Sequence, residues 1–111
     1  MKKGLYKIEL SKEAEIDFDN SYEFYANISQ KVADNYFKEV NDSFIVLSKY
    51  PESFQKVFGN ARRYVLIKFP VVIYYLIHNT TIQVIAIFHA DRNPDIWKQR
   101  MDDKDWKKNK G

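Results

Sequence analysis

The side chains able to move protons or hold anions concentrate in the second half of the sequence: Arg62, Arg63, Lys68, His89 and Arg92. His89 has the chemistry of a general acid or base, since an unperturbed imidazole with a pKa of ~6.5 exchanges protons near neutrality. The arginines can fork onto phosphate oxygens through two parallel N–H donors. One reaction to weigh such a set against is phosphodiester transfer, which needs a base, an acid and stabilisation of the pentacoordinate phosphorane. His89 would be base or acid, with Arg63, Lys68 and Arg92 as electrostatic stabilisers. Tyr74 or Tyr75 could supply another proton-transfer group, although tyrosines in strands usually belong to the core. As a nuclease set this is incomplete. The three glycines are scattered, so there is no glycine-rich phosphate loop, and the absence of cysteine excludes disulfides and thiolate metal sites. No metal or cofactor is implied.

Each of these residues also has a structural reading. Arg62 and Arg63 open a strand, where charge keeps a sheet edge soluble. Lys68 shares parity with Arg62 on a regular strand, so the two could converge on one face, or Lys68 could be a solvated strand end. His89 shares parity with Ile85 and Ile87 at a strand end beside a helix cap, a place for a hydrogen-bonded corner histidine. Arg92 could bind an anion or pin the last helix through a salt bridge. Trp97 reads as packing, and His78 as an inert turn residue.

The elements that must position these groups follow from periodicity. Residues 5–10 alternate as a strand. Ser11 offers an N-cap, and Glu13, Glu15, Asp17 and Asp19 place negative charge in the opening turns of a helix. Its apolar stripe is Ala14, Phe18, Tyr22, Tyr25 and Ile28. Ser29 is a second cap, and Ala33, Phe37, Val40, Phe44 and Leu47, widened by Val32 and Tyr36, form the next stripe. Two helices with almost nothing between them make an antiparallel hairpin, ended by Tyr50-Pro51. Residues 51–60 read as a loop that tucks Phe54, Val57 and Phe58 onto the core. Strands are expected over 63–68, 71–77 and 81–88, with Phe69-Pro70 as a bend and His78–Thr81 as a tight turn. Both parities of the last two strands are largely apolar, so the sheet is covered on both faces or keeps one face for a partner. Asn93 as N-cap and Pro94 at the first position start a short helix ending near Arg100. The expected fold is α+β, in the order β-α-α-β-β-β-α. A helical hairpin packs on a mainly antiparallel four-stranded sheet. The domain spans residues 1–101, and the charged residues 102–111 are expected to form a disordered tail.

A chain of 111 residues fits one domain, and 45% apolar with 30% charged residues is an ordinary globular composition. Eight Tyr, eight Phe and two Trp give a small core large rings to bury. No apolar run approaches the ~18 residues of a membrane span, and no secretory signal follows Lys2-Lys3, so the expected location is the cytoplasm with no membrane contact. The net charge of +3 is unevenly spread: residues 1–49 sum to −2, 50–100 to +4 and 101–111 to +1. The basic second half permits contact with a polyanion or an acidic protein without demanding it.

The element order and the local pattern resemble the RelE/ParE toxin superfamily. The matching residues are Ala14 and Tyr22, then Ala33, Val40, Leu47 and Pro51, then Arg63, Phe69-Pro70, Ile73 and Tyr75. The ending adds Ile85, Ile87, His89, Arg92, Pro94, Trp97 and Arg100. The Phe-Pro before a strand and the His-x-x-Arg-x-Pro-x-x-Trp ending look closest to the ParE-like, plasmid-stabilisation branch. The resemblance implies a toxin neutralised by a cognate antitoxin. ParE-like members poison DNA gyrase without being nucleases. RelE-like members cleave mRNA in the ribosomal A site, with Lys and Arg on the middle strands and a Tyr or His near the last strand's end. The expectation is therefore a gyrase-directed toxin, with Arg62, Arg63, Lys68 and Arg92 as target- or phosphate-binding residues. The alternative is a ribosome-dependent endoribonuclease using His89, and a third possibility is a degenerate member that keeps only antitoxin binding.

Overall fold

The computed structural model describes residues 5–101. The strand β1 (Lys7–Leu10) leads into helix α1 (Lys12–Ile28) and helix α2 (Gln30–Lys49). A single turn of 3-10 helix at Pro51–Ser53 follows, then β2 (Lys56–Phe58), β3 (Ala61–Val65), β4 (Val71–His78), β5 (Thr81–His89) and helix α3 (Asp95–Arg100). The five strands lie in the order β1-β5-β4-β3-β2. Only the β1–β5 pair is parallel.

The helix starts are made by the serines that the sequence marks. Ser11 Oγ accepts from the Ala14 N–H, and Ser29 Oγ from the Val32 N–H, both at 3.0 Å. Ser29 has an extended backbone and is at once the C-cap of α1 and the N-cap of α2. One residue therefore reverses the chain and forces the hairpin. The buried stripe of α2 is Ala33, Tyr36, Val40, Ser43 and Leu47. It runs one residue earlier than the expected Phe37 and Phe44, and Phe37 is left half exposed. In α1 the stripe holds Ala14 and Tyr25 but loses Ile28 to solvent and gains the buried carboxylate of Asp17.

The sheet has five strands rather than four. The extra one, β2, lies in the segment 51–60 expected to be loop; Phe58 pairs with Ala61 across Gly59 and Asn60. Gly59 supplies the positive φ of +56° that this two-residue turn requires. Strand β3 stops at Val65, short of the expected Lys68, and residues 66–70 form a bend. The tail assigned to 102–111 lies outside the described residues.

The two faces of the sheet carry separate cores. Val71, Ile73, Tyr75, Ile82, Val84 and Ile87 face the α1–α2 hairpin. Ala61, Leu76, Ile85, Ala86 and Phe88 face the other way and are covered by Trp97 of α3. The helices are therefore not confined to one face, and α3 is what makes both faces of β4 and β5 apolar. Strand β5 has one residue more than β4 opposite: Tyr74 pairs with Ala86 and Tyr75 with Val84, so Ile85 is a bulge. After it the alternation is inverted. Ile85 and Ile87, expected on one face, point to opposite cores.

Candidate functional site

The four cations nominated from the sequence do not form one site: only Arg63 and Arg92 come together, and Arg62 and Lys68 stand apart from them and from each other. Arg63 and Arg92 come together on the α3 side, where they line a cavity of about 240 Å³ with Lys98, Tyr74, Trp97 and Pro94. Arg63 stands exposed on β3, opposite Tyr74 of β4. Arg92 comes from the bend after β5, with its guanidinium 3.9 Å from the centre of the Phe88 ring. Lys98 lies 5.0 Å from the Phe58 ring centre and 4.0 Å from the Asp95 carboxylate. Trp97 stacks on Tyr74 with ring centres 4.3 Å apart and forms the buried floor. Lys98 is a cation that sequence reasoning missed; its signal was the i, i+1 step from Trp97, which leaves it at the rim when the indole is buried.

Arg62 and Lys68 are not part of this cavity. The Arg62 guanidinium donates to the carbonyls of Phe54 at 2.7 Å and Glu52 at 3.1 Å, so it latches the segment before β2. Lys68 is on the 66–70 bend, and the expected convergence with Arg62 along a strand does not form, because β3 has already ended. Its backbone N–H, like that of Ile67, donates to the Glu39 carboxylate of α2. This bond holds the bend beside a groove of about 590 Å³ lined by Lys38, Glu39, Val46, Tyr64, Ile67 and Phe69 among others. Ile67 is 83% exposed beside it.

His89 sits on the hairpin side, in a corner of aromatic rings. Its Nε2 is 3.2 Å from Tyr25 Oη, and the Phe24 ring meets it edge-on at 5.8 Å. Tyr25 in turn packs on Tyr36 and Phe69. Burial raises the Tyr25 phenol above its usual value of 10.0. Burial also pushes Tyr36 and Tyr75 up to about 12, Tyr36 against its hydrogen bond with Ser21 and Tyr75 against the nearby charge of Arg62. Tyr75 donates to the Pro51 carbonyl at 2.6 Å and is core, as strand tyrosines usually are. Tyr74, on the other parity, lines the basic cavity.

A buried ion pair that sequence reasoning missed organises the cavity from behind. Asp17, 5% exposed, accepts from Arg100 Nη1 at 2.7 Å, Arg100 Nη2 at 3.2 Å and the Ile87 N–H at 3.0 Å. Arg100 Nη1 also donates to the Ile85 carbonyl at 2.9 Å, and Arg92 approaches Asp17 to 3.8 Å. The location explains the pair. Strand β1 covers β5 only as far as Val84, whose carbonyl takes the Ser11 N–H. Beyond that point the β5 edge is open, and the two side chains occupy its next acceptor and donor. Among the described residues no group of three His, Cys, Asp or Glu side chains is arranged to hold a metal ion. Likewise no helix there is long and apolar enough to cross a membrane.

The sequence of residues 8–94 matches the family model for the ParE toxin of the type II toxin–antitoxin system parDE. No curated protein sequence matches. The fold is similar to a solved chain described as the chromosomal ParDE TA system from P. aeruginosa. That chain has a TM-score of 0.68 and 16% identity, with 77% of this chain and 96% of the other covered.

Proposed function

This chain belongs to the ParE toxin family of type II toxin–antitoxin systems, and on that premise we propose that it inhibits DNA gyrase by binding and is neutralised by a cognate antitoxin. The observation supporting a binding mechanism is the separation of His89 from Arg63 and Arg92. A general acid or base must come within hydrogen-bond reach of the group it serves, directly or through one water. His89 is bonded to Tyr25 on the hairpin side, whereas Arg63 and Arg92 line a cavity on the α3 side. The proton-transfer group and the two arginines able to fork onto a phosphate therefore do not line the same cavity. An inhibitor that works by shape and charge needs no such coincidence. The half-exposed Val65 and the exposed Ile67 are apolar surface that an antitoxin segment would cover.

The test is to express the chain and follow plasmid supercoiling and mRNA integrity in parallel, with and without the neighbouring small reading frame. Loss of supercoiling with intact mRNA, relieved by the neighbour, is the expected result. Cleaved mRNA with normal supercoiling would replace this reading with the ribonuclease one.

A further inference from the structure

We propose that the cavity on the α3 side is a socket for a carboxylate, filled by an acidic side chain that a protein partner presents. This deepens the binding reading above, and its test involves neither gyrase nor growth, so either can fail alone.

Three cations from three segments meet at one small cavity: Arg63 from β3, Arg92 from the bend after β5 and Lys98 from α3. None of the three side chains donates a hydrogen bond to any described residue. Arg63 has no ion pair there either. Lys98 has one carboxylate, the exposed Asp95, at 4.0 Å. Arg92 has Asp17 at 3.8 Å, but both Asp17 oxygens already accept from Arg100. The Tyr74 hydroxyl likewise makes no hydrogen bond among the described residues. The site is thus an excess of oriented donors over acceptors, and an arginine fork matches a carboxylate through two parallel bonds. The floor carries one more unpaired donor. Trp97 Nε1 is buried and has no acceptor among the described residues, a costly condition for a polar group.

A nucleic-acid backbone would ask for something else: a row of cations following successive phosphates, with exposed rings on which bases stack. Here the three cations line one small cavity rather than a row. Trp97 is buried and already stacked on Tyr74, so it offers no free face. Next to the cavity the sheet face is apolar, with Val65 half exposed and Val72 beside it, and Phe58 half exposed at the rim. Arginine, tyrosine and tryptophan at the centre of an apolar surround is the composition of a protein–protein hot spot.

The experiment is an NMR titration of the 15N-labelled full chain, reading the Trp97 indole N–H, with Trp106→Phe used to assign it. The probes are tetraglutamate, tetraglutamine and a tetrathymidylate oligonucleotide. Tetraglutamate should shift the Trp97 signal saturably while tetraglutamine leaves it in place. The double variant Arg63→Gln, Lys98→Gln should weaken tetraglutamate binding about tenfold, with an unchanged melting temperature as the control for folding. If that control fails, Arg63→Gln alone, at an exposed position, carries the test with a smaller expected loss. The proposal is overturned if tetraglutamate gives no saturable shift or if the folded variant binds it as well as the parent. It is also overturned if the oligonucleotide saturates at a lower concentration than tetraglutamate, which would make the cavity a phosphate site.

Discussion

Replacing Arg100 with Met tests whether the buried pair with Asp17 holds α3 and the β5 edge together. The substitution keeps the length of the stem and removes two donors from Asp17 and one from the Ile85 carbonyl. It leaves a carboxylate side chain that is 4% exposed, beside a partner that had been 17% exposed. Removing one member of a buried pair costs roughly 3–5 kcal/mol, because the remaining charge stays desolvated. Two features lower that figure here. The Ile87 N–H still donates to Asp17, and Arg92, 3.8 Å away, can move closer. We expect a loss of about 2–4 kcal/mol in urea unfolding followed by circular dichroism. Against a total stability of roughly 5–15 kcal/mol that is a large fraction, and it corresponds to a melting temperature lower by roughly 10–25 °C.

The reverse substitution should behave differently. Asp17→Asn keeps an acceptor for the Ile87 N–H, and the freed Arg100 can turn to solvent, so its cost should be about 1–2 kcal/mol. The double variant should then cost less than the sum, with a coupling of roughly 1–3 kcal/mol. Arg100→Met costing under ~1 kcal/mol, with additive behaviour in the double variant, would refute the reasoning. The pair would then be worth no more than a surface ion pair, and α3 would be held by Trp97 alone.

His89→Gln should keep most of the growth inhibition, since glutamine can still meet Tyr25 Oη; a folded variant that has lost both toxicity and mRNA cleavage would instead assign His89 to catalysis. Stability should fall between about pH 10 and pH 12. Tyr36 and Tyr75, raised to about 12 in the fold, hold protons there that the unfolded chain has released. At ~1.4 kcal/mol per pKa unit each contributes up to roughly 2–3 kcal/mol, and Tyr36→Phe or Tyr75→Phe should flatten the decline; an unchanged slope would show that neither phenol is protected. Asn79→Ala should cost about 1 kcal/mol in thermal unfolding, because Asn79 holds a φ of 55° in the β4–β5 turn, and a neutral result would mean that the turn relaxes.

Much of the frame was legible because local chemistry and periodicity agree there. Ser11 and Ser29 are capping residues placed before apolar stripes, and they cap as their types require. The segment around β2 was misread although a signal was present: Gly59-Asn60 between Val57-Phe58 and Ala61-Arg62 is a two-residue hairpin turn, overshadowed by the Pro51 that opens the stretch. The slip from Phe37 to Tyr36 in α2 has a different origin. Both phases of the helix carry an aromatic, and the choice is made by tertiary partners, Ser21 hydrogen-bonding Tyr36 Oη at 2.6 Å and Phe18 stacking on its ring. Asp17 could not be singled out, since it is one of five acidic residues of the first helix. Its role depends on where β1 ends on β5, which is not encoded locally.

The bulge at Ile85 decides how the candidate site is divided. Strand β5 is apolar at nearly every position from Ile82 to Phe88, so no polar residue marks which face each side chain takes. Counting strictly by twos from Ile82 and Val84 would send Phe88 to the hairpin side and His89 to the other, beside Arg63 and Arg92. One inserted residue reverses both assignments. Phe88 goes to the α3 side, where its ring carries the guanidinium of Arg92, and His89 goes to Tyr25. The same insertion exposes the Ile85 carbonyl and the Ile87 N–H at the uncovered edge, where Arg100 and Asp17 bind them. The separation of the imidazole from the basic cavity and the anchoring of the helix that supplies Lys98 thus share one cause in the backbone. The His-x-x-Arg spacing of the sequence, which places both side chains near one strand end, does not bring them to one site.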